Sequence, residues 1–490
     1  MPSKKFEMGA TVDHEELPPD HNTASDTPEV KEKADPLAAD PGLEIDAVTN
    51  KRLFWKITRR ILVIQVITYF CQSLDKGILN YASIMGIKTD AHLVGQEYSW
   101  LGTILYIGIL VAKMLSINVF LWGAVVACSA ASTHFRSLMA VRFLLGFFES
   151  CVQPAMMLLT AIWYKREEQS VLNAIWYCMS GVSLMIGGLL AFGVSHFKNG
   201  PIKNWQLLFL VLGLATCVWS FFIATLLPDN PLTAKCFSEE DRKLMIERVR
   251  ENETGIQNRE YKRYQIVEAF KDPFVWCCVL LITVANLVIG GLGVFSNLII
   301  TQFGFSLLQT QLLNIAQGAW TILIMLGSAW ASQRFQQTCF VMIICAVPAL
   351  VGTTVILVVT PTASNAGGML IAFYCTQFFL AEGNMIISLI TRNVAGQTKK
   401  GITMTMVFVG WAVGNLIAPQ IFQSKDAPRY LRGFLTHIVV YAVYVALVLL
   451  TRIILMARNR CKIQSSTEIS HELAFQDLTD CENPNFRYVY

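Results

Sequence analysis

Runs of about 20 apolar residues, separated by polar segments, occupy most of the chain after its first fifty residues. A helix of ~20 apolar residues spans the ~30 Å hydrocarbon core of a bilayer, so each run predicts one transmembrane helix. The first six predicted spans are Ile61 to Met85, Tyr98 to Ala112, Leu115 to Ala131, Leu138 to Trp163, Val171 to Val194 and Leu207 to Leu227. The last six are Phe274 to Ile300, Leu312 to Ala331, Cys339 to Val359, Gly367 to Ile390, Ile402 to Phe422 and Phe434 to Met456. The pattern predicts an all-α membrane protein with twelve transmembrane helices in two groups of six.

A charged middle loop separates the two groups of spans. We predict a disordered cytosolic amino-terminal tail (1–55), a first six-helix bundle (56–227), the middle loop (228–272), a second six-helix bundle (273–457) and a cytosolic carboxy-terminal tail (458–490). From Glu239 to Arg250 the loop carries acidic and basic residues at helical spacing. Such a segment cannot enter lipid, so we predict a surface helix there.

Basic residues flank alternate spans and predict the orientation of the protein, because short cytosolic segments are enriched in Lys and Arg. They cluster before the first span and after the fourth, tenth and twelfth, at Lys51, Arg52, Lys56, Arg59, Arg60, Lys165, Arg166, Arg392, Lys399, Lys400, Arg458, Arg460 and Lys462. With an even number of spans, all these positions lie on one side. Although Lys425, Arg429 and Arg432 weaken the contrast on the other side, we expect both termini and the middle loop to be cytosolic.

Composition agrees with a membrane protein and excludes several other classes. Apolar residues make up 54% of the chain, charged residues only 15%, and the mean hydropathy is +0.47, whereas soluble proteins carry ~25% charged residues. A net charge of +4 is too small to indicate nucleic-acid binding. Most of the thirteen cysteines lie in apolar runs without a Cys-x-x-Cys pair, so no metal site or cofactor is predicted. No catalytic motif appears, so we do not expect an enzyme.

Charged residues within the first and fourth spans are the main candidates for a functional site, because a charge at mid-bilayer costs ~2.5 to 3.5 kcal/mol unless it faces a cavity or a partner. Asp75 and Lys76 lie halfway along the first span, with Asn80 one turn beyond Lys76 on the same face. Arg142 and Glu149 in the fourth span are nearly two turns apart and point the same way. The alternative is structural: Asp75 and Lys76 neutralise each other, and Arg142 and Glu149 join helices as an ion pair.

Other polar positions in the spans carry weaker signals. Gln153 extends the Arg142 and Glu149 face, and Pro154 then predicts a kink. Asn286 and Asn415 could line a pore or form hydrogen bonds between helices, and Gly410 with Gly414 predicts close helix packing. Glu382 in the tenth span echoes Glu149, since both precede a lysine by a similar distance. Trp320, Trp330 and Trp411 are interpreted as core or interface anchors.

Several motifs resemble a known family. Asp75-Lys76 with Asn80-Tyr81-Ala82, Arg142 with Gly146, Glu149 and Pro154, and the run from Trp163 to Gln169 resemble the anion:cation symporters of the major facilitator superfamily. The motifs similar to its fungal allantoate permease-like branch are Asn393 to Lys400, Gly410 to Asn415, Pro419-Gln420, Ala427 to Tyr430, Asp477 to Asp480 and Asn483 to Tyr488. The resemblance covers about residues 50 to 490.

This resemblance implies a major facilitator fold and proton-coupled uptake of a small carboxylate at the plasma membrane by a monomer. Allantoate, ureidosuccinate, a dipeptide or a vitamin acid are examples of such substrates. It further implies that Asp75 and Glu149 take part in proton coupling, that Lys76 meets the substrate carboxylate and that Arg142 pairs with that network. We expect Asn80, Gln153, Asn286 and Asn415 to contribute to substrate binding and Glu382 to contribute to coupling. Alternating access would follow from rocking of the two halves about the site.

Three departures from the family pattern point to alternatives. Leu172 and Gln206 stand where the family usually has basic residues. The stretch from Tyr98 to His134 is shorter than the more than ~40 residues that two spans and a loop need, so a segment near Lys113 is expected to be missing. The missing segment reflects a gene-model error or a real deletion. The chain could therefore be an inactive truncated paralogue, or a nutrient sensor that binds without transporting.

Overall fold

The computed structural model describes residues 46–93, 97–98, 101, 115–150, 152–165, 168, 172, 175–197, 201–228, 234, 236–250, 262–427, 429–465, 478–483 and 486–490. Within this part of the chain every regular element is helical. The all-α prediction is therefore confirmed.

The amino-terminal half of the described chain forms eight helices. They are α1 (Ala47–Ile57), α2 (Val63–Ile84), α3 (Ile87–Asp90), α4 (Leu115–Ser129), α5 (Phe135–Glu149), α6 (Val152–Trp163), α7 (Met179–Ser195) and α8 (Asn204–Leu226). A π-helical turn, Thr58–Leu62, joins α1 to α2 without a break. Helix α1 begins where the Asp46 side chain accepts a hydrogen bond from the Thr49 amide at 3.3 Å. It occupies residues 47–55, which the sequence analysis assigned to a disordered tail.

The middle loop and the carboxy-terminal half contribute nine helices. They are α9 (Glu239–Arg250), α10 (Arg263–Lys271), α11 (Pro273–Gln302), α12 (Leu307–Phe335), α13 (Thr338–Val358), α14 (Ala366–Thr376), α15 (Ala381–Asn393), α16 (Gln397–Ile421) and α17 (Leu431–Ser465). Capping residues set several starts: Asp272 accepts from the Phe274 amide before Pro273, and Ser306 forms a capping box with Gln309.

Nine helices of the described chain are long and apolar enough to cross a membrane. Eleven of the twelve predicted spans coincide with described helices, although α4 is shorter than a full span. The second predicted span and the expected missing segment near Lys113 lie mostly outside the described residues. The predicted surface helix of the middle loop is present as α9.

Two spans are interrupted near their middle. In the fourth span α5 ends at Glu149 and α6 begins at Val152. Pro154 has no amide hydrogen, so it cannot bond the carbonyl four residues earlier, which is where the interruption lies. In the tenth span a 3-10 turn, Gln377–Leu380, separates α14 from α15. Glu149 and Glu382 therefore both lie beside a helix interruption, in corresponding spans of the two halves.

The two halves contact each other along two helix pairs, α2 with α11 and α7 with α12. Small residues allow the second contact: a Cβ on Gly188 would lie 2.5 Å from the Gln311 carbonyl oxygen, and one on Gly181 would lie 2.8 Å from that of Gly318. The side-chain amide of Gln311 also donates a hydrogen bond to Ser195 Oγ at 2.8 Å. Ser195 and Gln311 lie at the ends of α7 and α12 that are remote from the middle loop. We call this side of the protein the far face.

Candidate functional site

Asp75 and Lys76 lie side by side in α2 but point to different neighbours. Successive side chains on a helix diverge by about 100°, since a turn contains 3.6 residues. The Asp75 carboxylate accepts a hydrogen bond from Thr216 Oγ1 of α8 at 3.3 Å. Lys76 Nζ lies 3.1 Å from Glu149 Oε1 of α5. The structural alternative in which Asp75 and Lys76 neutralise each other is therefore not the arrangement observed.

The Lys76 ammonium lies at the boundary between the two halves. Besides Glu149, it contacts the face of the Trp411 ring in α16, 5.4 Å from the ring centroid. The Lys76 side chain is 25% exposed, whereas that of Glu149 is fully buried. Because an ammonium has three donors and Glu149 covers one side only, an anion can approach the exposed side of Lys76.

Arg142 supplies a second buried cation, 2% exposed. Its guanidinium lies 5.4 Å from the centroid of the Phe209 ring in α8 and acts electrostatically on both Asp75 and Glu149. One of its terminal nitrogens has no hydrogen-bond partner among the described residues. The ion pair with Glu149 that the sequence allowed is thus replaced by a pair between Lys76 and Glu149.

The four charged residues form a cluster with two cations and two carboxylates. Lys76 is close to Glu149 but not aligned as a hydrogen-bond donor, so within the described chain neither Glu149 oxygen, nor Asp75 Oδ1, receives a hydrogen bond. Buried polar atoms are nearly always satisfied in folded proteins, and unsatisfied ones require a ligand, water or proton to explain them. The cluster therefore has acceptor capacity for protons and, at Lys76, donor capacity for an anion.

Asn80, which the sequence analysis expects to contribute to substrate binding, forms hydrogen bonds to the second half of the protein. Its amide nitrogen donates to Ser296 Oγ at 2.6 Å, and its oxygen accepts from the Asn297 amide at 3.1 Å, both in α11. Asn297 in turn accepts from Asn314 at 3.0 Å. The Asn80 side chain thus links the two halves near the far face.

Asn286 and Asn415 lie within the second half and bond to each other, with Asn415 Nδ2 2.9 Å from Asn286 Oδ1. Each also donates to the carbonyl four residues earlier in its own helix. Gly410 and Gly414 lie against the α11 backbone, where a Cβ on Gly414 would be 2.4 Å from the Thr283 carbonyl oxygen. The predicted close helix packing is confirmed. Gln153, in the first turn of α6, is half-buried.

Glu382 lies apart from the charged cluster. Its carboxylate is fully buried and accepts a hydrogen bond from the Tyr444 hydroxyl of α17 at 2.5 Å. The Tyr444 ring packs edge-on against Phe379, which also contacts Tyr441. The other Glu382 oxygen has no hydrogen-bond partner in the described chain. Glu382 thus occupies a separate aromatic-lined site inside the second half.

Two residues that contact the cluster, Thr216 and Trp411, are not identified by the sequence as parts of the site. Single threonines in apolar helices are common and carry no signal, so the sequence does not distinguish Thr216. Trp411 was interpreted as an anchor, yet its ring contacts Lys76. It lies four residues before Asn415 and therefore on the same helix face, which was an available signal.

Residues 66–419 match the Major Facilitator Superfamily. The chain belongs to the major facilitator superfamily. An allantoate permease of Saccharomyces cerevisiae is 31% identical over 91% of this chain and 88% of its own length. A thiamine pathway transporter of the same yeast is 33% identical, over 90% and 87%. An uncharacterized transporter of Schizosaccharomyces pombe is 34% identical, over 93% and 90%. These relatives place the chain in the fungal allantoate permease-like branch.

Solved structures agree with the superfamily at the level of the fold. A bacterial homologue of the human lysosomal transporter Spinster matches with a TM-score of 0.61 at 13% identity, covering 80% of this chain and 96% of that one. The xylose transporter XylE of E. coli matches with a TM-score of 0.56 at 10% identity, over 78% and 97%. The predicted major facilitator fold is confirmed. The protein is an integral membrane transporter and not an enzyme.

Proposed function

We propose that this transporter imports a small organic anion together with a proton, and that the pair formed by Lys76 and Glu149 carries the coupling. The supporting observation is that Lys76 lies 3.1 Å from the buried Glu149 carboxylate and is also partly open. Its ammonium binds either Glu149 or a substrate carboxylate strongly, because charges interact much more strongly in a low-dielectric cavity than in water. A proton on Glu149 would release Lys76 for the substrate.

Charge balance favours entry of the anion and the proton together. Asp75 and Glu149, when ionised, balance Lys76 and Arg142, so the cluster is neutral without substrate. An added carboxylate would leave one uncompensated negative charge in a buried site, which is costly. A proton taken up by Glu149 or Asp75 restores neutrality. The fully loaded and empty sites are therefore both neutral, and these are the states in which the halves can reorient.

The position of Trp411 supports alternating access around this site. Lys76 and Glu149 belong to the first half of the chain, whereas Trp411 belongs to the second half. The substrate would thus bind between bundles that rock about it. Asn286, Asn415 and Gln153 are proposed to shape the site around the anion, and Glu382 is proposed to contribute to proton coupling. A single chain holds all these residues, so a monomer is sufficient.

An uptake screen tests the proposal. Cells expressing the chain, and matched cells with empty vector, are given radiolabelled carboxylates including allantoate, ureidosuccinate, a dipeptide and vitamin acids, with and without a protonophore. We expect accumulation of at least one anion that the protonophore abolishes. Binding without accumulation would identify a nutrient sensor instead, and accumulation unaffected by the protonophore would exclude proton coupling.

We further propose that the protein lies in the plasma membrane with both termini and the middle loop in the cytosol. The basic clusters that flank the first, fourth, tenth and twelfth spans support this orientation. An epitope tag after Tyr490 should be inaccessible in intact cells, whereas a cysteine replacing the exposed Ser364, at the far face, should react with an impermeant reagent. The reverse pattern would exclude this topology.

A further inference from the structure

Residues 478–483 and 486–490, called the tail segment below, pack against the second half of the protein on the face that carries the middle loop. The segment includes parts of the sequence motifs Asp477 to Asp480 and Asn483 to Tyr488, which do not contribute to the transport site. It contacts the ends of three membrane helices, α15, α16 and α17, and the middle-loop helix α10. These contacts involve both its backbone and its charged side chains.

Two asparagines hold consecutive backbone units of the tail segment. Asn393, at the end of α15, donates to the Val489 carbonyl and accepts from the Val489 amide, both at 2.7 Å. Asn459 of α17 donates to the Tyr488 carbonyl at 2.8 Å and accepts from the Tyr488 amide at 2.9 Å. Each asparagine therefore satisfies the donor and the acceptor of one residue, as a neighbouring β-strand would. Such pairs recognise an extended peptide backbone.

The buried Lys399 ammonium needs the tail segment to complete its contacts. Its side chain is fully buried, and Nζ lies 3.0 Å from Glu268, 2.8 Å from Asp272 and 2.7 Å from Asp480. Three acceptors match the three donors of an ammonium. Burial opposes ionisation of Asp272, but the hydrogen bonds and charges of Arg458 and Lys399 outweigh it and lower the pKa of that carboxyl. Without Asp480 the buried cation would lack one acceptor.

The same cluster is unsuited to a metal ion. Glu268, Asp480 and Cys481 approach one another closely enough to bind one metal ion. However, the Lys399 ammonium lies within 3.0 Å of both carboxylates and 3.7 Å from Cys481 Sγ. A metal would have to displace this buried cation. The ammonium thus provides the positive charge that the carboxylates require.

Further cations surround the tail segment and balance its charge. Arg458 pairs with Asp272 and lies 3.6 Å from Asp480, and Lys462 donates to the carbonyls of Asp480 and Asn483. Together with Lys399 they give three cations against the three carboxylates Glu268, Asp272 and Asp480. The Arg452 guanidinium covers the Tyr490 ring, 4.9 Å from its centroid. The set formed by the cations Lys399, Arg458 and Lys462 and the three carboxylates is therefore neutral only when Asp480 of the tail segment is in place.

We propose that Asn393, Lys399, Asn459 and their neighbours form a peptide-binding site whose occupant is the tail segment of the same chain, and that its occupancy holds α10, α15, α16 and α17 together as one rigid unit. Each of these helices contributes at least one residue to the site. The ends of the helices on this side must move as a body if the second half rocks. The proposal is independent of which solute the protein carries.

Peptide binding in trans tests the site directly. A chain ending at residue 477 is purified in nanodiscs and mixed with a synthetic peptide of residues 478–490. We expect the truncated chain to melt at a lower temperature than the full chain, and the peptide to restore much of the difference. A peptide carrying Asp480→Asn should bind about tenfold more weakly or worse, because one donor of a buried ammonium is left without a charged acceptor. Equal melting temperatures without peptide binding would overturn the proposal.

A second test uses the full chain and does not depend on folding of the truncated one. The Cys481 residue is exposed, but partial desolvation of its thiol, together with the Asp480 carboxylate, raises the pKa of that thiol to about 11. Release of the segment should return the pKa towards ~8.5 and raise the thiolate fraction, and thus alkylation at pH 8, by roughly a hundredfold. We expect this in Asn393→Ala/Asn459→Ala protein, measured at Cys481 by mass spectrometry, but not in the Asn365→Ala control. Unchanged reactivity in the double variant would refute the docking.

Discussion

At the scale of single residues, the adjacent Asp75 and Lys76 contact different neighbours. Asp75 faces Thr216 within the first half, whereas Lys76 faces Glu149 and the Trp411 ring of the second half. The acidic Asp75 thus lies inside the first half, whereas the basic Lys76 reaches the boundary with the second half.

Glu149→Gln should uncouple transport from the proton gradient. The amide keeps the shape and polarity of the side chain but cannot bind a proton, and Lys76 is then always free for the anion. In membrane vesicles with an imposed pH gradient, we expect proton-driven accumulation to be lost while exchange of internal for external substrate continues, because the site of the variant is neutral only with the anion bound. Asp75→Asn should behave similarly, and Glu240→Gln on the exposed surface of α9 serves as a control. Concentrative uptake by the Glu149 variant would contradict the coupling role.

Lys76→Met and Trp411→Leu should both weaken substrate binding, by different amounts. Losing the charge partner of a buried carboxylate costs ~2 kcal/mol or more, so the first change should raise KM about 30-fold or more. The aromatic face contributes ~0.5 to 2 kcal/mol to placing the ammonium, so the second should raise KM roughly 2- to 30-fold. Trp330→Leu is the matched control, since Trp330 is 64% exposed on α12. If Trp411→Leu left KM unchanged, the ring would have no part in the site.

At the scale of elements, Glu149 and Glu382 each lie beside an interruption, in the fourth and the tenth span. In the fourth span α5 ends at Glu149, so this carboxylate lies beside a break between two helices and not within a continuous one. The corresponding 3-10 turn before Glu382 lies in the second half. Between α11 and α16, by contrast, glycines keep two continuous helices in close contact.

Gly414→Val should loosen the contact between α16 and α11. A Cβ there would lie 2.4 Å from the Thr283 carbonyl oxygen, which is backbone and cannot move aside. Overpacking of this kind costs ~1 to 3 kcal/mol, so the melting temperature of the purified protein should fall by several degrees. Gly401→Ala in the same helix meets nothing within 4 Å and should be neutral or stabilising. Equal melting temperatures for the two variants would disprove the close contact.

At the scale of the whole molecule, each half has its own set of ion pairs on the face that carries the middle loop. In the first half, Asp241 of α9 binds Lys56 at 2.5 Å, and the buried Arg248 pairs with Glu168. In the second half, α10 and the tail segment surround Lys399. The middle loop therefore contributes one helix to each half. The far face, in contrast, carries hydrogen bonds that cross between halves.

Asn80→Leu should favour opening of the far face. The change removes the bonds to Ser296 and the Asn297 amide that join α2 to α11. At about 1 kcal/mol each, their loss shifts the equilibrium between closed and open forms by roughly five- to thirtyfold. A cysteine replacing the neighbouring buried Ser83 should then react faster with an impermeant thiol reagent. Thr353→Val, which removes a buried bond inside one half, is the control. A slower or equal rate would contradict the assignment.

The sequence by itself determined the class of protein, the positions of eleven spans that coincide with described helices, and the presence of charged residues within the first and fourth spans. These follow from local properties: the length of an apolar run and the cost of a charge in lipid do not depend on distant parts of the chain. Only the tertiary structure decided which charges pair, that Trp411 reaches Lys76 and that Asn80 joins the halves. It also decided that Lys399 is completed by Asp480 of the tail segment. These contacts depend on how helices far apart in sequence pack, and the same residues would carry the same local signals in either arrangement.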